Sequence, residues 1–492
     1  MNNNLINIEN NYYALSIVII YFLSLLYIGF KGLKNTKTFS DYIIGDRKLG
    51  PIVGALNVGA SDMSSWLLMG LPGAFYLLGL NQIWMLIGLI LGSFASWNFI
   101  AKRLRKFTEI RGNSLTISQF LENRFDDKSK ILTIVTSIII IFFFTIYISS
   151  GFVGGAKLFS QFLGVSYQLA LIISCIAIVL YALIGGFLAI SWADLFQGLL
   201  MLFVLIITPS FVIYHLDISA IDLIGKIKEI SPSHLNPFYE LDFFAIIGFL
   251  SWGLGYFGQP HIISKYMAIK NPEEIRVAKV ICLSWMSLSM FGAAIVGMLG
   301  VVYFAQNPLK EAETVFISIT TEMFHPIFIG IFIAAILAAI MSTINAQIII
   351  CCSALSQDFY KRFLRKNAND KEMLVVTRLF VIVVAIISAL IAQDENSSVL
   401  ALVARAWAGL GASIGPIILF SLFWKKTTRS GAIAGIISGA VSAIICSKIS
   451  FFSYEMLPAF LISSIAIFIT SLATKNQIPN FVEDDFKLML KK

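Results

Sequence analysis

The stretch GASDMSSWLLMG (59–70) places one carboxylate, Asp62, among small, hydroxylated and apolar residues. At the centre of a membrane helix such a charge costs roughly 2.5–3.5 kcal/mol on insertion scales. A bound cation, a nearby arginine or protonation would offset that cost. The structural alternative is a pairing with Arg47 or with a backbone N–H. Acids inside membrane segments serve function by default, which favours a cation-linked role for Asp62. A second polar patch, AAIMSTINAQ (338–347), carries the adjacent hydroxyls of Ser342 and Thr343. Short oxygen donors suit a hard cation. Taken alone, the patch reads better as a helix-packing face. Opposite a broken helix, it would complete a sodium cage. A third stretch, SWGLGYFGQP (251–260), puts Gly253, Gly255, Gly258 and Pro260 close together. No helix runs undisturbed through that composition.

The elements that must position these residues are membrane helices. Of the 492 residues, 58% are hydrophobic and 13% charged, and the mean hydropathy is +0.84. Apolar runs of about 20 residues recur to the C-terminus, as a bilayer core requires. The pattern predicts an all-α polytopic membrane protein of about thirteen spans. They lie near 13–32, 50–77, 81–101, 131–160, 167–187, 190–214, 243–263, 278–304, 326–356, 373–393, 399–424, 431–448 and 456–474. The first run follows an Asn-rich segment without Lys or Arg, so a true span is expected rather than a cleaved signal.

The net charge of +8 is a topology signal. Lys31, Lys34, Lys37, Arg47 and Lys48 follow span 1, a larger basic cluster follows span 3, and others follow spans 7, 9 and 11. Only Lys157, Lys226, Lys228, Lys310, Arg405 and Lys448 fall elsewhere, which leaves 30 of the 36 Lys and Arg after odd-numbered spans. The positive-inside rule then puts the N-terminus outside and the C-terminus in the cytoplasm. The basic loops face lipid headgroups, and nucleic-acid binding is excluded as a function class. Cys175, Cys282, Cys351, Cys352 and Cys446 sit in apolar runs without zinc-type spacing. The four histidines belong to no catalytic motif, and no nucleophile elbow is present, so the chain does not read as an enzyme. No charged-ring signature of a channel is present either.

Span 2 carries Gly54, Gly59, Gly70 and Pro72 around Asp62, and span 7 carries the SWGLGYFGQP stretch. Each opens a set of five spans, 2–6 and 7–11, that start from opposite sides of the membrane. Paired interrupted spans at corresponding positions mark the central site of an inverted-repeat transporter. Glycines that merely allow close packing are the bland alternative. The matched pair, one member bearing an aspartate, favours transport.

At these residues the chain resembles the sodium:solute symporter family, and within it the proline-carrying members. The resemblance runs through GASDMSSWLLMGLPGA (59–74), FFFTIYISSG (142–151), GGFLAISWAD (185–194), SWGLGYFGQPHI (251–262), ILAAIMST (336–343) and RSGAIAGIISGA (429–440). It implies a leucine-transporter-type core of two inverted five-helix repeats, 50–214 and 243–424. Helix 1 and the segment 431–474 would be accessory, and 475–492 would form a cytoplasmic tail, all within one transmembrane domain. It implies a co-transported sodium ion held by backbone oxygens of Ala60, Met63 and Ala339 and by hydroxyls of Ser342 and Thr343, with Asp62 linked to sodium. It implies L-proline recognition by Trp66, Tyr147, Trp252, Tyr256 and Pro260, with Arg47, Ser64 and Asp194 in support. Two positions depart from the proline members: Ser65, where glycine is usual, and Arg405, where an uncharged aromatic is usual. The function expected is sodium-coupled proline uptake across a bacterial cytoplasmic membrane. The alternative is sodium- or proton-coupled symport of another small organic solute, such as another amino acid, a betaine-like osmolyte, pantothenate or a sugar.

Overall fold

The structure, a computed structural model, describes residues 8–35, 39–184, 186–449 and 452–490. Lys37 and Gly185 lie outside the described residues. Among those described there is no strand, only an isolated bridge between Leu49 and Ile269. The rest is helix and its connections, as a chain that must satisfy its own backbone in lipid requires.

Ten helices are long and apolar enough to cross a membrane among the described residues. The expected count of thirteen is therefore approximate, and the difference falls on three spans. Span 2 is interrupted, span 7 is interrupted, and span 5 appears as the shorter apolar helix Tyr167–Leu183. The segments at the centre are spans 9 (Pro326–Ser353) and 11 (Val399–Phe423), with 83% of each apolar window buried. Spans 1 (Ile8–Asn35) and 10 (Asp370–Ile391) bury 28% and lie at the rim. Span 9 packs against spans 1, 2, 4 and 6, so its polar patch is surrounded by helices rather than lipid.

Both predicted breaks are present. Span 2 runs as α-helix over Pro51–Asp62, leaves helical geometry at Met63 (φ −86°, ψ 80°), and resumes through a wide π turn, Trp66–Gly70, into Leu71–Leu78. Pro72 lacks an N–H and its ring crowds the preceding turn, which accounts for the widened turn before it. Span 7 begins as Phe243–Leu250, with the Asp242 side chain accepting from the Ala245 N–H at 2.7 Å. It tightens to a 3-10 turn over Ser251–Phe257 and leaves helix at Gly258 and Gln259. Pro260 then opens the second half, Pro260–Ala268, at the position where a missing N–H costs nothing. This half extends beyond the expected end of span 7 at 263, and its extension brings Lys265 inside the protein.

Span 3 (Ile83–Ala95, then a π turn to Ala101) holds the middle of span 7 by bare backbone contact. A Cβ on Gly92 would lie 2.1 Å from the Gly253 carbonyl oxygen, and one on Gly253 would lie 2.2 Å from the Gly88 oxygen. Only glycine permits this approach.

The basic loops form their own small core on one face. Arg124, in the loop helix Ile117–Phe125, is fully buried. Its Nε donates to the Ser421 carbonyl at 3.1 Å, and its guanidinium lies over the Phe125 and Phe486 rings. Burial pulls Arg124 down to about 10, still well above neutral pH.

Candidate functional site

The break in span 2 faces span 9. The Ser342 hydroxyl lies 2.8 Å from the Ala60 carbonyl oxygen and 3.1 Å from that of Ala339. The next hydroxyl along, Thr343 Oγ1, is buried without a hydrogen-bond partner. Met63, at the turn itself, is fully buried. The structure thus brings Ala60, Ala339 and Ser342 into direct contact and sets Met63 and Thr343 on the elements that meet there. These carbonyl and hydroxyl oxygens form a donor set that fits a sodium ion.

Asp62 lies at the same break and is buried. Its Oδ2 accepts a short hydrogen bond from the Tyr256 hydroxyl, and its Oδ1 has no partner. Its backbone oxygen accepts from Trp66 Nε1 at 3.0 Å. The Trp66 N–H reaches Ser64 Oγ at 3.4 Å. Tyr147 sits beside Ser64, Trp66 and Asp62, its hydroxyl buried and unpartnered. Asp62, Ser64, Trp66, Tyr147 and Tyr256 are therefore one cluster built from spans 2, 4 and 7. Arg47 is not the partner of Asp62.

Trp252 is linked to this cluster through Trp407. The Trp252 ring stacks on Tyr454 at 4.7 Å, and its carbonyl accepts from Trp407 Nε1 at 2.8 Å. Trp407 in turn packs edge-on against Tyr256 at 5.2 Å. Pro260 instead lines a small, partly open cavity toward the basic face. His261, the next residue, is fully buried with both ring nitrogens unpartnered, set edge-on to Phe144 (5.3 Å) and Tyr147 (5.9 Å).

Toward the basic face, Lys265 joins three elements. Its Nζ donates to the Asn57 carbonyl at 3.0 Å and to Asp194 Oδ2 at 3.1 Å, and makes a short contact with Asn57 Oδ1. Asn57 Nδ2 donates to Ser191 Oγ at 2.6 Å. The first half of span 2, span 6 and the second half of span 7 are thus tied by one buried ammonium. The charge count above placed Lys265 in a loop. Its nearness to Pro260, which starts a new helical turn, was the available signal that it lies inside.

Arg47 and Arg105 gather the end of the same half-helix. Arg47 Nη1 donates to the Met267 carbonyl at 2.6 Å, Nη2 to the Ser114 carbonyl at 2.8 Å, and Nε to Asn113 Oδ1 at 3.2 Å. Arg105 donates to the Ile269 carbonyl at 2.6 Å and the Lys270 carbonyl at 3.0 Å. Cationic donors on unpaired C-terminal carbonyls also complement the helix dipole. Burial, with Arg105 adding repulsion, lowers Arg47 to about 10, so it stays charged at neutral pH.

The two departures are also placed. Ser65 packs against Gly154, whose added Cβ would fall 2.8 Å from the Ser65 Cβ. Arg405 is exposed and acts on Glu455. Burial raises that carboxyl and Arg405 draws it back.

Known proteins resemble this chain over most of its length. The sodium:solute symporter family profile matches residues 42–439. The chain is 46% identical over 455 residues to the high-affinity proline transporter PutP of Bacillus subtilis (strain 168), covering 92% of this chain and 96% of that one. It is 45% identical over 463 residues to the sodium/proline symporter of Escherichia coli (strain K12), covering 93% and 92%. Among solved structures it matches a sodium-coupled sialic acid symporter in a substrate-bound outward-open state. The TM-score is 0.79 at 20% identity, over 94% of this chain and 97% of that one, which establishes the leucine-transporter-type fold. A helical fold of that type, broken at Met63 and Gly258 around a buried aspartate, and a profile match over most of the length lead to one assignment: this chain is a multi-pass membrane protein of the sodium:solute symporter family.

Proposed function

We propose that this protein imports L-proline together with sodium by alternating access, and that it does so across a bacterial cytoplasmic membrane with its N-terminus outside and its C-terminus inside. The observation that carries the sodium half is the junction of Ser342 Oγ with the Ala60 and Ala339 carbonyls, beside the unpartnered Thr343 hydroxyl. Sodium replaces the Ser342–Ala60 contact and takes oxygens from Ala60, Met63, Ala339, Ser342 and Thr343. Binding orders the break in span 2. Asp62, on the same turn, keeps the site negative and holds Tyr256 in place.

Proline is a compact zwitterion with an apolar ring. Trp66, Tyr147 and Tyr256 supply aromatic walls. Trp252 and Pro260 border the pocket from either side of the break in span 7. The His261 N–H, in the first turn of Pro260–Ala268, lies at a helix start, where a carboxylate is favoured. The relatives named for proline carriage, at 45% and 46% identity over nearly the whole chain, favour proline over other solutes. The two five-span repeats, 50–214 and 243–424, then rock to open the site on the other side. Each sodium charge draws roughly 2.3 kcal/mol per 100 mV from the membrane potential.

The test is uptake of labelled L-proline into proteoliposomes with and without an inward sodium gradient. Unlabelled betaine, pantothenate, galactose and other amino acids serve as competitors. Uptake that needs sodium and is blocked only by proline is the expected result. Sodium-independent uptake, or uptake of a competitor and not of proline, overturns the assignment.

A further inference from the structure

A second buried carboxylate lies beyond the central site, toward the basic face. Asp358 belongs to the wide helical turn Ala354–Leu364 that continues span 9, about 22 Å along the axis from Thr343 at 1.5 Å per residue. It is fully buried. Its Oδ2 accepts from Ser118 Oγ at 2.6 Å and Ser137 Oγ at 2.7 Å. Its Oδ1 is buried and has no partner. The cation that acts on it, Arg362, is itself held by Glu122.

Asp358 lines a partly open cavity of about 30 Å³, together with Thr116, Ser118, Ser264 and Ser353, and the rest of its wall is apolar, Pro260 included. That volume holds one or two water-sized species. The hydroxyl protons around it are largely committed. A serine has one proton and two lone pairs. Ser118 gives its proton to Asp358, so Thr116 gives its own to Ser118 at 3.0 Å. Ser353 gives its proton to the Ile349 carbonyl at 2.6 Å. What remains is a carboxylate oxygen and hydroxyl lone pairs, gathered on one part of an otherwise aliphatic wall. A buried carboxylate without an ion-pair partner calls for a cation.

We propose that Asp358, with Ser264, Ser353 and Ser118, forms a second monovalent-cation site that takes sodium on its way between the central site and the basic face. This rests on sodium being the coupling ion. The site borders Pro260 and Ser264 of the second half of span 7, the half-helix that Lys265 ties to span 2. A cation there is therefore placed to respond to any movement of that half-helix.

The experiment is equilibrium binding of radiolabelled sodium to the purified full-length protein, without proline. Wild type is expected to show two saturable components. Thr343→Ala should weaken the one belonging to the central site about tenfold, and adding Asp358→Asn should remove the other. Ser264→Ala leaves both hydrogen bonds to Asp358 intact and keeps the test valid should Asp358→Asn fail to fold. In the Thr343→Ala background it should weaken the second component about tenfold, the cost of one lost contact to a charged group. A single component in wild type that Thr343→Ala weakens would mean the cavity holds water only, and it overturns the proposal. A second component untouched by both Asp358→Asn and Ser264→Ala overturns it as well. Failure of sodium-driven proline uptake with two components still present would instead overturn the transport assignment alone.

Discussion

Ser342 Oγ and the Ala60 carbonyl oxygen meet at 2.8 Å, joining residues 282 positions apart in the chain. Ser342 lies in a continuous helix and Ala60 in the last turn before a break, so a rigid element faces a deformable one. A cation that displaces this hydrogen bond exchanges one proton for up to five oxygen contacts. Ser342→Ala and Thr343→Ala should each raise the sodium concentration for half-maximal proline uptake by about tenfold or more. Uptake at saturating sodium should recover substantially. Sodium titrations of initial uptake rates check this, and unchanged sodium dependence in both variants would remove the junction from the mechanism.

Asp62 and Tyr256 should separate charge from geometry. Asp62→Asn keeps the shape but removes the negative charge, and sodium-stimulated uptake should be lost. Tyr256→Phe leaves the charge but strips Asp62 Oδ2 of its donor. A lost hydrogen bond to a charged group costs about 1.5–3 kcal/mol, so uptake should fall by one to two orders of magnitude while retaining sodium dependence. Kinetic measurement of both variants in the same vesicles distinguishes the two roles. Sodium-dependent uptake by Asp62→Asn at the wild-type rate would contradict the charge assignment.

The Lys265–Asp194 pair makes a different kind of prediction. Removing one partner of a buried ion pair strands the other and costs about 3–5 kcal/mol. Lys265→Met and Asp194→Asn should each lower the melting temperature of the detergent-solubilised protein. The double variant Lys265→Met with Asp194→Asn should melt above either single one. Thermal unfolding of the three variants checks the order, and strict additivity of the two losses would show that the residues act separately.

At the contact between spans 3 and 7, Gly92→Ala should be poorly tolerated. Its Cβ would meet a peptide oxygen rather than a movable side chain. Forced overpacking of this kind costs about 1–3 kcal/mol. The expected result is reduced yield and a lower melting temperature. Gly225→Ala serves as the control, because nothing lies near its missing Cβ.

Much of this arrangement is legible in the amino-acid sequence because lipid leaves few options. The helices follow from apolar run length, and the breaks at Met63 and Gly258 from glycine and proline placement. The nearness of Ala60 to Ser342 was reached only through family resemblance, since no local pattern encodes a contact 282 residues apart. Lys265, Arg105 and Arg124 were counted as loop charges, because hydropathy reports polarity and not burial. Their partners are carbonyls, a distant aspartate and aromatic rings, most of them supplied by other elements. The partnership of Asp62 with Tyr256 was hidden for the same reason. Each half of that pair was visible, but the pairing depends on how spans 2 and 7 cross.

The glycine contact between spans 3 and 7 sorts the seams of the protein by how they can yield. Where peptide groups touch directly, no rotamer exists to be exchanged, so Gly88, Gly92 and Gly253 form a fixed bearing. The centre of span 7 and span 3 are therefore expected to keep their relative placement in any rearrangement. The second half of span 7 is fastened differently, by an ammonium and two guanidiniums whose hydrogen bonds can be traded for water one at a time. One broken helix thus carries a stiff pivot at its middle and an unlatchable end.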